Sequence, residues 1–221
     1  MVDPPLKTWI DSKSDLVTIE YHTSFPYIGD PFYQANIAEQ DERLNYAEVF
    51  RTPTIRFDGP HQPTTNTTTA YETLYAERRA VAARASIELS GSFDPQTQTG
   101  IATATITTEQ ALAGDWRLRM VVVQNDIDYP APNGIDEHHH VFRSFLPDPT
   151  GTAVDLATGG ESLVVTQPFA IDPAWQMTDF AVVAFLQDDL TRTIEQGAQL
   201  RIDDLTPVEA TTWGAVKAAF R

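Results

Sequence analysis

From residue 85 onward apolar side chains recur at every second position, whereas before it they recur at helical spacing in two stretches, each preceded by a short β-branched run. The alternating part predicts strands over residues 87–93, 101–107, 116–123, 138–146, 163–169, 180–186 and 193–202, separated by Asp-Pro and Gly turns. In the first part, residues 15–21 (Asp-Leu-Val-Thr-Ile-Glu-Tyr) read as a buried strand, followed by an irregular stretch over 22–31. Residues 32–50 carry a helical pattern in which Ile37, Leu44 and Val49 are apolar and Glu39, Gln40, Asp41, Glu42 and Arg43 face solvent. A strand over 54–57 ends at Asp58-Gly59-Pro60, and after a polar loop over 61–69 a second helix over 70–83 runs through Tyr71, Leu74, Tyr75 and Val81.

The pattern therefore predicts an α+β chain in two parts, an α/β region over 1–82 and an antiparallel β-sandwich of immunoglobulin or fibronectin type over 83–205. A tail over 206–221 follows, in which Trp213, Val216 and Phe220 share one helical face and are expected to dock on the sandwich. With 42% hydrophobic residues the 221-residue chain has material for a sizeable core. A formal charge of -16 argues against nucleic acid and against an anionic membrane surface. No apolar run is long enough to span a membrane. There is no cysteine, which removes disulfides, thiolate metal sites and thiol catalysis together. The lysines are Lys7, Lys13 and Lys217, so positive charge comes chiefly from arginine, a bias that suits an extracytoplasmic or high-salt protein. Met1-Val2-Asp3-Pro4-Pro5 lacks the basic and apolar regions of a signal peptide, so the expectation is either a cytoplasmic protein or a start that lies upstream.

The segment around Thr52-Pro53-Thr54, ending at Phe57-Asp58-Gly59, resembles the cis-proline strand of a thioredoxin fold. Together with residues 16–22, the Asp30-Pro31-Phe32 helix entry, the Gln124-Asn125-Asp126-Ile127 and 137–141 segments with Arg143, and the strand leading to Asp188, the chain resembles bacterial thioredoxin-like proteins related to outer-membrane proteins. The resemblance implies an extracytoplasmic, envelope-associated or secreted protein with a protein or peptide partner. It also implies a cis peptide bond at Pro53, with Thr52 and Pro53 as peptide-contact residues, whereas the bare residues favour an ordinary trans proline opening an edge strand. The Cys-x-x-Cys turn of that family has no counterpart here, so the chain is expected to begin inside the domain and to be redox-inactive. Val17, Ile19, Ile55 and Phe57 are then expected on open sheet edges, giving a strand-exchanged dimer or a distorted first region.

His138-His139-His140 after Asp136-Glu137 is the cluster with metal-ligand chemistry. On a strand His138 and His140 point to one side, and a hairpin over 129–135 brings Asp126, Asp128 and Glu137 near them, a candidate divalent site; a polar strand face explains the same residues. Asp188-Asp189 is expected at the opposite pole from Asp126. Gly-x-Ser-x-Gly and phosphate-cradling glycine motifs are absent, and no carboxylate pair stands out among 31 acidic residues. The expectation is a non-catalytic binding or assembly protein. The alternatives are a fragment of a thiol-disulfide oxidoreductase whose cysteines lie upstream, and a carbohydrate- or metal-binding sandwich.

Overall fold

A computed structural model describes residues 4–207. The chain is α+β, with its sheets mostly antiparallel. The helices are α1 (Pro4–Asp11), α2 (Pro31–Gln34), α3 (Ile37–Tyr46) and α4 (Thr68–Arg79). The strands are β1 (Ala85–Asp94), β2 (Thr99–Thr108), β3 (Trp116–Gln124), β4 (Ile127–Asp128), β5 (Glu137–His138), β6 (Val141–Leu146), β7 (Thr152–Ala153), β8 (Ser162–Ala170), β9 (Phe180–Asp188), β10 (Ile194–Arg201) and β11 (Thr206–Pro207). Each of the seven predicted strands of the second part is present within a few residues of its expected limits. The expected tail helix falls on residues outside those described.

Two sheets face each other. One has the order β11-β1-β2-β8, with β11 parallel to β1; the other has the order β10-β9-β3-β6, with β7 also on β3. Between them Ala102, Ala104 and Ile106 of β2 meet Leu118, Met120 and Val122 of β3 and Val182, Ala184 and Leu186 of β9. Strands β3 and β9 are buried along almost their whole length. Their odd-numbered residues Val121, Val123, Ala181, Val183 and Phe185 face outward, into a second apolar cluster that takes in Phe142, Phe145, Ile19 and Tyr21. That outer face is where the first eighty residues lie.

The two strands expected in the first region do not form. Residues 15–21 take no regular structure beyond Glu20, which pairs in a single bridge to Val141, because Ile19 and Tyr21 are spent on the outer face of an existing sheet. Residues 54–57 make one bridge, Phe57 to His61, and Ile55 and Phe57 pack instead with Leu6, Trp9 and Tyr71. Within the single chain the first region is distorted from the expected α/β form, and Ile19 and Phe57 are packed rather than left on an open edge.

The helix expected over 32–50 is two helices. Asp30 caps the first, its Oδ1 accepting from Phe32 N (2.9 Å) and Tyr33 N (3.3 Å), and Asn36, at φ -157°, breaks the run and caps the second through Glu39 N (3.4 Å). Helix α3 stops at Tyr46 because Glu48 turns left-handed (φ 53°), with Val49 N donating to Leu44 O (2.9 Å) and Glu48 N to Asn45 O (3.1 Å), a Schellman closure. Residues 39–43 are not a solvated stripe. Helix α3 docks on the sheet by polar side chains: Asn36 Nδ2 donates to Arg143 O (3.0 Å), Phe145 N to Glu39 Oε2 (2.9 Å), Arg43 Nη1 to Gln187 Oε1 (2.9 Å) and Tyr46 Oη to Asp189 Oδ1 (2.8 Å). Residues 36, 39, 43 and 46 lie at the three- and four-residue spacing of one helix face, so the periodic signal was present in polar residues. No helix among the described residues is long and apolar enough to cross a membrane.

Candidate functional site

Because α3 holds the first region against the sheet at one side while α1 and α4 pack on Trp9 and Tyr71 at the other, a cavity of about 630 Å³ remains between the wrap and the outer face of β9 and β10. Val17, Ile19 and Ile55 wall it from the wrap, and Val183, Phe185 and Ile194 from the sheet. Gly197 of β10 is part of the wall and lies close to Val17: a Cβ there would be 3.7 Å from Val17 Cβ and 3.6 Å from Ala184 O, ordinary contact distances. The main-chain N–H groups of Val17, Thr18 and Ile19 on one segment and Thr54, Ile55 and Arg56 on another make no hydrogen bond to the described chain.

The cavity reaches one of the two sets of residues singled out from sequence in full and the other in part. Thr52 and Pro53 are part of its wall, and the peptide bond between them is cis, as the resemblance implied. At another part of the wall stand Glu137, His138, His139 and His140. Asp126 and Asp128 are not on it.

The histidine arrangement differs from the expected one. Hairpin β4–β5 pairs Ile127 with His138 and Asp128 with Glu137, but β5 ends at His138, and His140 adopts a left-handed φ of 57°. Strand alternation therefore fails, and His138 and His140 do not converge on the carboxylates. His138 is buried against Phe32 (ring centroids 4.8 Å apart), with Nε2 3.0 Å from Tyr129 O. The main-chain N–H of His140 donates to Asn125 Oδ1 (2.7 Å), and its ring is partly buried. His139 takes the central place, Nδ1 3.2 Å from Asp126 Oδ1 and Nε2 3.1 Å from Glu137 Oε2. Ligand atoms of Asp126, Glu137 and His139 lie within 4.8 Å of one another, an O, N, O set of the kind that borderline divalent ions accept, whereas Asp128 stands outside it. As it stands, the imidazole bridges the two carboxylates, and Lys7 Nζ adds a positive charge 3.6 Å from Glu137.

Burial lowers the pKa of His138, and burial with the neighbouring His139 charge lowers that of His140. The unfolded chain therefore takes up protons at these two positions first. Their contribution to stability is present above the ordinary histidine value, near 6.5, and is lost as pH falls through that value toward the depressed ones. The urea midpoint is expected to drop between pH 7 and pH 5. His140→Asn, which tolerates the left-handed backbone and does not titrate, should flatten that slope. An unchanged slope in this variant would remove His140 from the account.

A pair that sequence reasoning passed over lies behind the same wall. His22, 4% exposed, places Nδ1 2.8 Å from Asp30 Oδ2, with Nε2 3.8 Å from Glu20 Oε1. Burial pushes the Asp30 carboxyl up, but the His22 contact and the α2 N–H groups outweigh it, and its pKa is lowered. A cavity of about 40 Å³, lined in part by His22, Glu20, Phe32 and His138, adjoins the pair and has room for little more than a water molecule. The available signal was Asp30-Pro31, a helix cap whose second oxygen was unassigned. Asp188 pairs with Trp116 at one end of β3–β9 and Gln124 with Phe180 at the other, so Asp126 and Asp188 sit at opposite poles as expected.

No family model and no curated protein matches the chain. Among solved structures, a domain of the outer membrane lipoprotein Omp28 from Porphyromonas gingivalis is similar at TM-score 0.41 and 15% identity, over 57% of this chain and 100% of that one. A Bifidobacterium adolescentis GH3 beta-glucosidase matches at TM-score 0.30 and 18% identity, over 60% of this chain and 20% of that one. The Pseudomonas fluorescens alkylpurine DNA glycosylase AlkC matches at TM-score 0.30 and 11% identity, over 79% and 45%. Likenesses this weak decide neither family nor function.

Proposed function

We propose that the chain is a non-catalytic binding protein of the bacterial cell envelope or exterior, and that it holds an extended peptide segment of a protein partner in the cavity under its N-terminal wrap. The observation that carries this is the pairing of a 630 Å³ cavity, apolar where Val17, Ile19 and Ile55 face Val183, Phe185 and Ile194, with two segments outside any helix or strand whose N–H groups are unused. An extended peptide satisfies such groups by strand addition, while its alternate side chains pack on the apolar wall formed by Ile19, Ile55, Phe185 and Ile194. With a charge of -16 the chain favours a neutral or basic segment. The envelope placement rests on the sequence resemblance and on the arginine-dominated basic residues. The order of the long strands, β1-β2-β8 against β10-β9-β3-β6, supports the immunoglobulin- or fibronectin-like reading of the sandwich. Thiol chemistry has no residue to work with in this chain.

Peptides selected from a random library for binding to the intact protein are the test. Hydrogen exchange at Val17–Ile19 and Thr54–Arg56 is expected to slow on binding. Gly197→Leu, whose Cβ would meet Ala184 O at 3.6 Å and Val17 Cβ at 3.7 Å, both ordinary contacts, and whose side chain takes up room in the cavity, should weaken the selected peptides at least tenfold while leaving the thermal midpoint near its original value. Peptides that protect other strands and ignore Gly197→Leu would sink the proposal.

A further inference from the structure

Strand β6 carries one residue more than its partner. Val122 pairs with Ser144 and Val123 with Phe142, which leaves Arg143 as the extra residue of a β-bulge. A bulge re-aims the side chain it carries. Here it sends a guanidinium into the protein, where Arg143 is only 5% exposed. Its position is held on three sides. Nε donates to Gln124 Oε1 (2.7 Å), and Gln124 is itself fixed, its Nε2 donating to Gln176 O (2.7 Å) and Thr178 Oγ1 (2.9 Å). The guanidinium carbon lies 5.5 Å from the centre of the Phe32 ring and 5.0 Å from that of Trp175.

What this arginine lacks is an anion. Neither terminal nitrogen makes a hydrogen bond to a described residue, and no carboxylate lies within 4.0 Å; Asp172 acts on it only from farther away. Arg119, equally buried, shows the usual arrangement, with Asp189 Oδ1 2.8 Å from its Nη1. A chain with 31 acidic and 15 basic residues has carboxylates to spare, yet none is brought to Arg143. Burial without a counter-charge lowers its pKa to about 10, so it is still a cation at neutral pH. The terminal nitrogens are not among the fully buried polar atoms without a partner, so this positioned fork, in neutral surroundings, keeps an opening to solvent through which an anion can reach it.

We infer that Arg143 is the receptor for a carboxylate, which the two terminal nitrogens engage side by side next to the Phe32 and Trp175 rings. The fork matches a planar carboxylate in two parallel hydrogen bonds. The net charge of the chain disfavours a dianion such as phosphate more than a monoanion. The site is independent of the peptide cavity, whose lining does not include Arg143.

The test is an NMR titration of the intact protein with sodium acetate at constant ionic strength, read on the Arg143 Nε–Hε and Trp175 indole signals. A saturable shift is expected, and Arg143→Lys should weaken acetate binding at least tenfold as read on Trp175. N-acetylglycine and N-acetylaspartate amide then separate the two sources of a carboxylate, a chain terminus and an acidic side chain, according to which binds more tightly; N-acetylglycinamide, with no carboxylate, should leave both signals unmoved. A shift no larger than chloride produces, saturation by inorganic phosphate but not by acetate, or undiminished acetate binding in Arg143→Lys would overturn the inference.

Discussion

Phe142→Ala is expected to cost about 3–5 kcal/mol, the usual loss for deleting a buried phenylalanine. In a chain of this size that lowers the thermal midpoint by roughly 6–20 °C. The expectation depends on which face of the sheet the residue occupies. Phe142 does not point between the two sheets; it lies on the outer face, 1% exposed, with its ring centroid 4.9 Å from those of Tyr21 and Phe145. If the first eighty residues folded as a separate body, Phe142 would be a surface residue and its truncation would change little. Differential scanning calorimetry of Phe142→Ala, beside Ile101→Ala at a site 46% exposed, separates the two cases. Tyr21→Ala should also be strongly non-additive with Phe142→Ala, because the second deletion finds the contact already gone. A small loss, or additive losses, would show that the wrap does not cover this face in solution.

Gln40→Leu is the second large effect, at about 2–4 kcal/mol, and its cause is polar rather than apolar. Gln40 is wholly buried, accepting from His22 N (2.7 Å) and donating to Phe32 O (2.8 Å) and Tyr33 O (3.3 Å). One amide thus ties α3 to α2 and to the strand-like segment that leads from Tyr21 into the His22–Asp30 pair. Leucine has similar volume but leaves the His22 N–H and the Phe32 carbonyl buried without partners. Gln40→Glu keeps the acceptor for His22 N but sets a buried carboxylate against the Phe32 and Tyr33 carbonyls, so at neutral pH it is expected to be no more stable than Gln40→Leu; urea unfolding of both variants ranks them. Near-native stability for Gln40→Leu would mean that water replaces the amide.

The sandwich was legible because each of its strands alternates or runs apolar over a length that turns bound clearly. A further signal went unused: Val121-Val122-Val123 and the run from Phe180 to Leu186 do not alternate. Strands without alternation are covered on both faces. That pattern already required something to lie on the outside of β3 and β9, and the first eighty residues are the cover. The α/β reading of those residues failed for a related reason. The apolar content of 15–21 and 54–57 is real, but local periodicity does not distinguish a strand in its own sheet from an extended segment laid on another. Helix α3 misled in the opposite way, since Asn36, Glu39, Arg43 and Tyr46 face partners that are themselves polar and distant in sequence. At the histidines the residue types were informative and the geometry was not. The left-handed turn at His140, which puts His139 between Asp126 and Glu137, is taken by a residue type that carries no glycine signal for it.

The docking of α3 also sets an order of events during synthesis. Its anchors Asn36, Glu39, Arg43 and Tyr46 reach Arg143, Phe145, Gln187 and Asp189, which are 106 to 144 residues later in the chain. At ribosomal speeds the helix waits about 5–30 s for the strands it rests on to be made. During that interval Ile19 and Tyr21 have no sheet to cover. The first eighty residues are therefore made before the strands they cover and settle after them, and until then they are a part that a holding chaperone would meet.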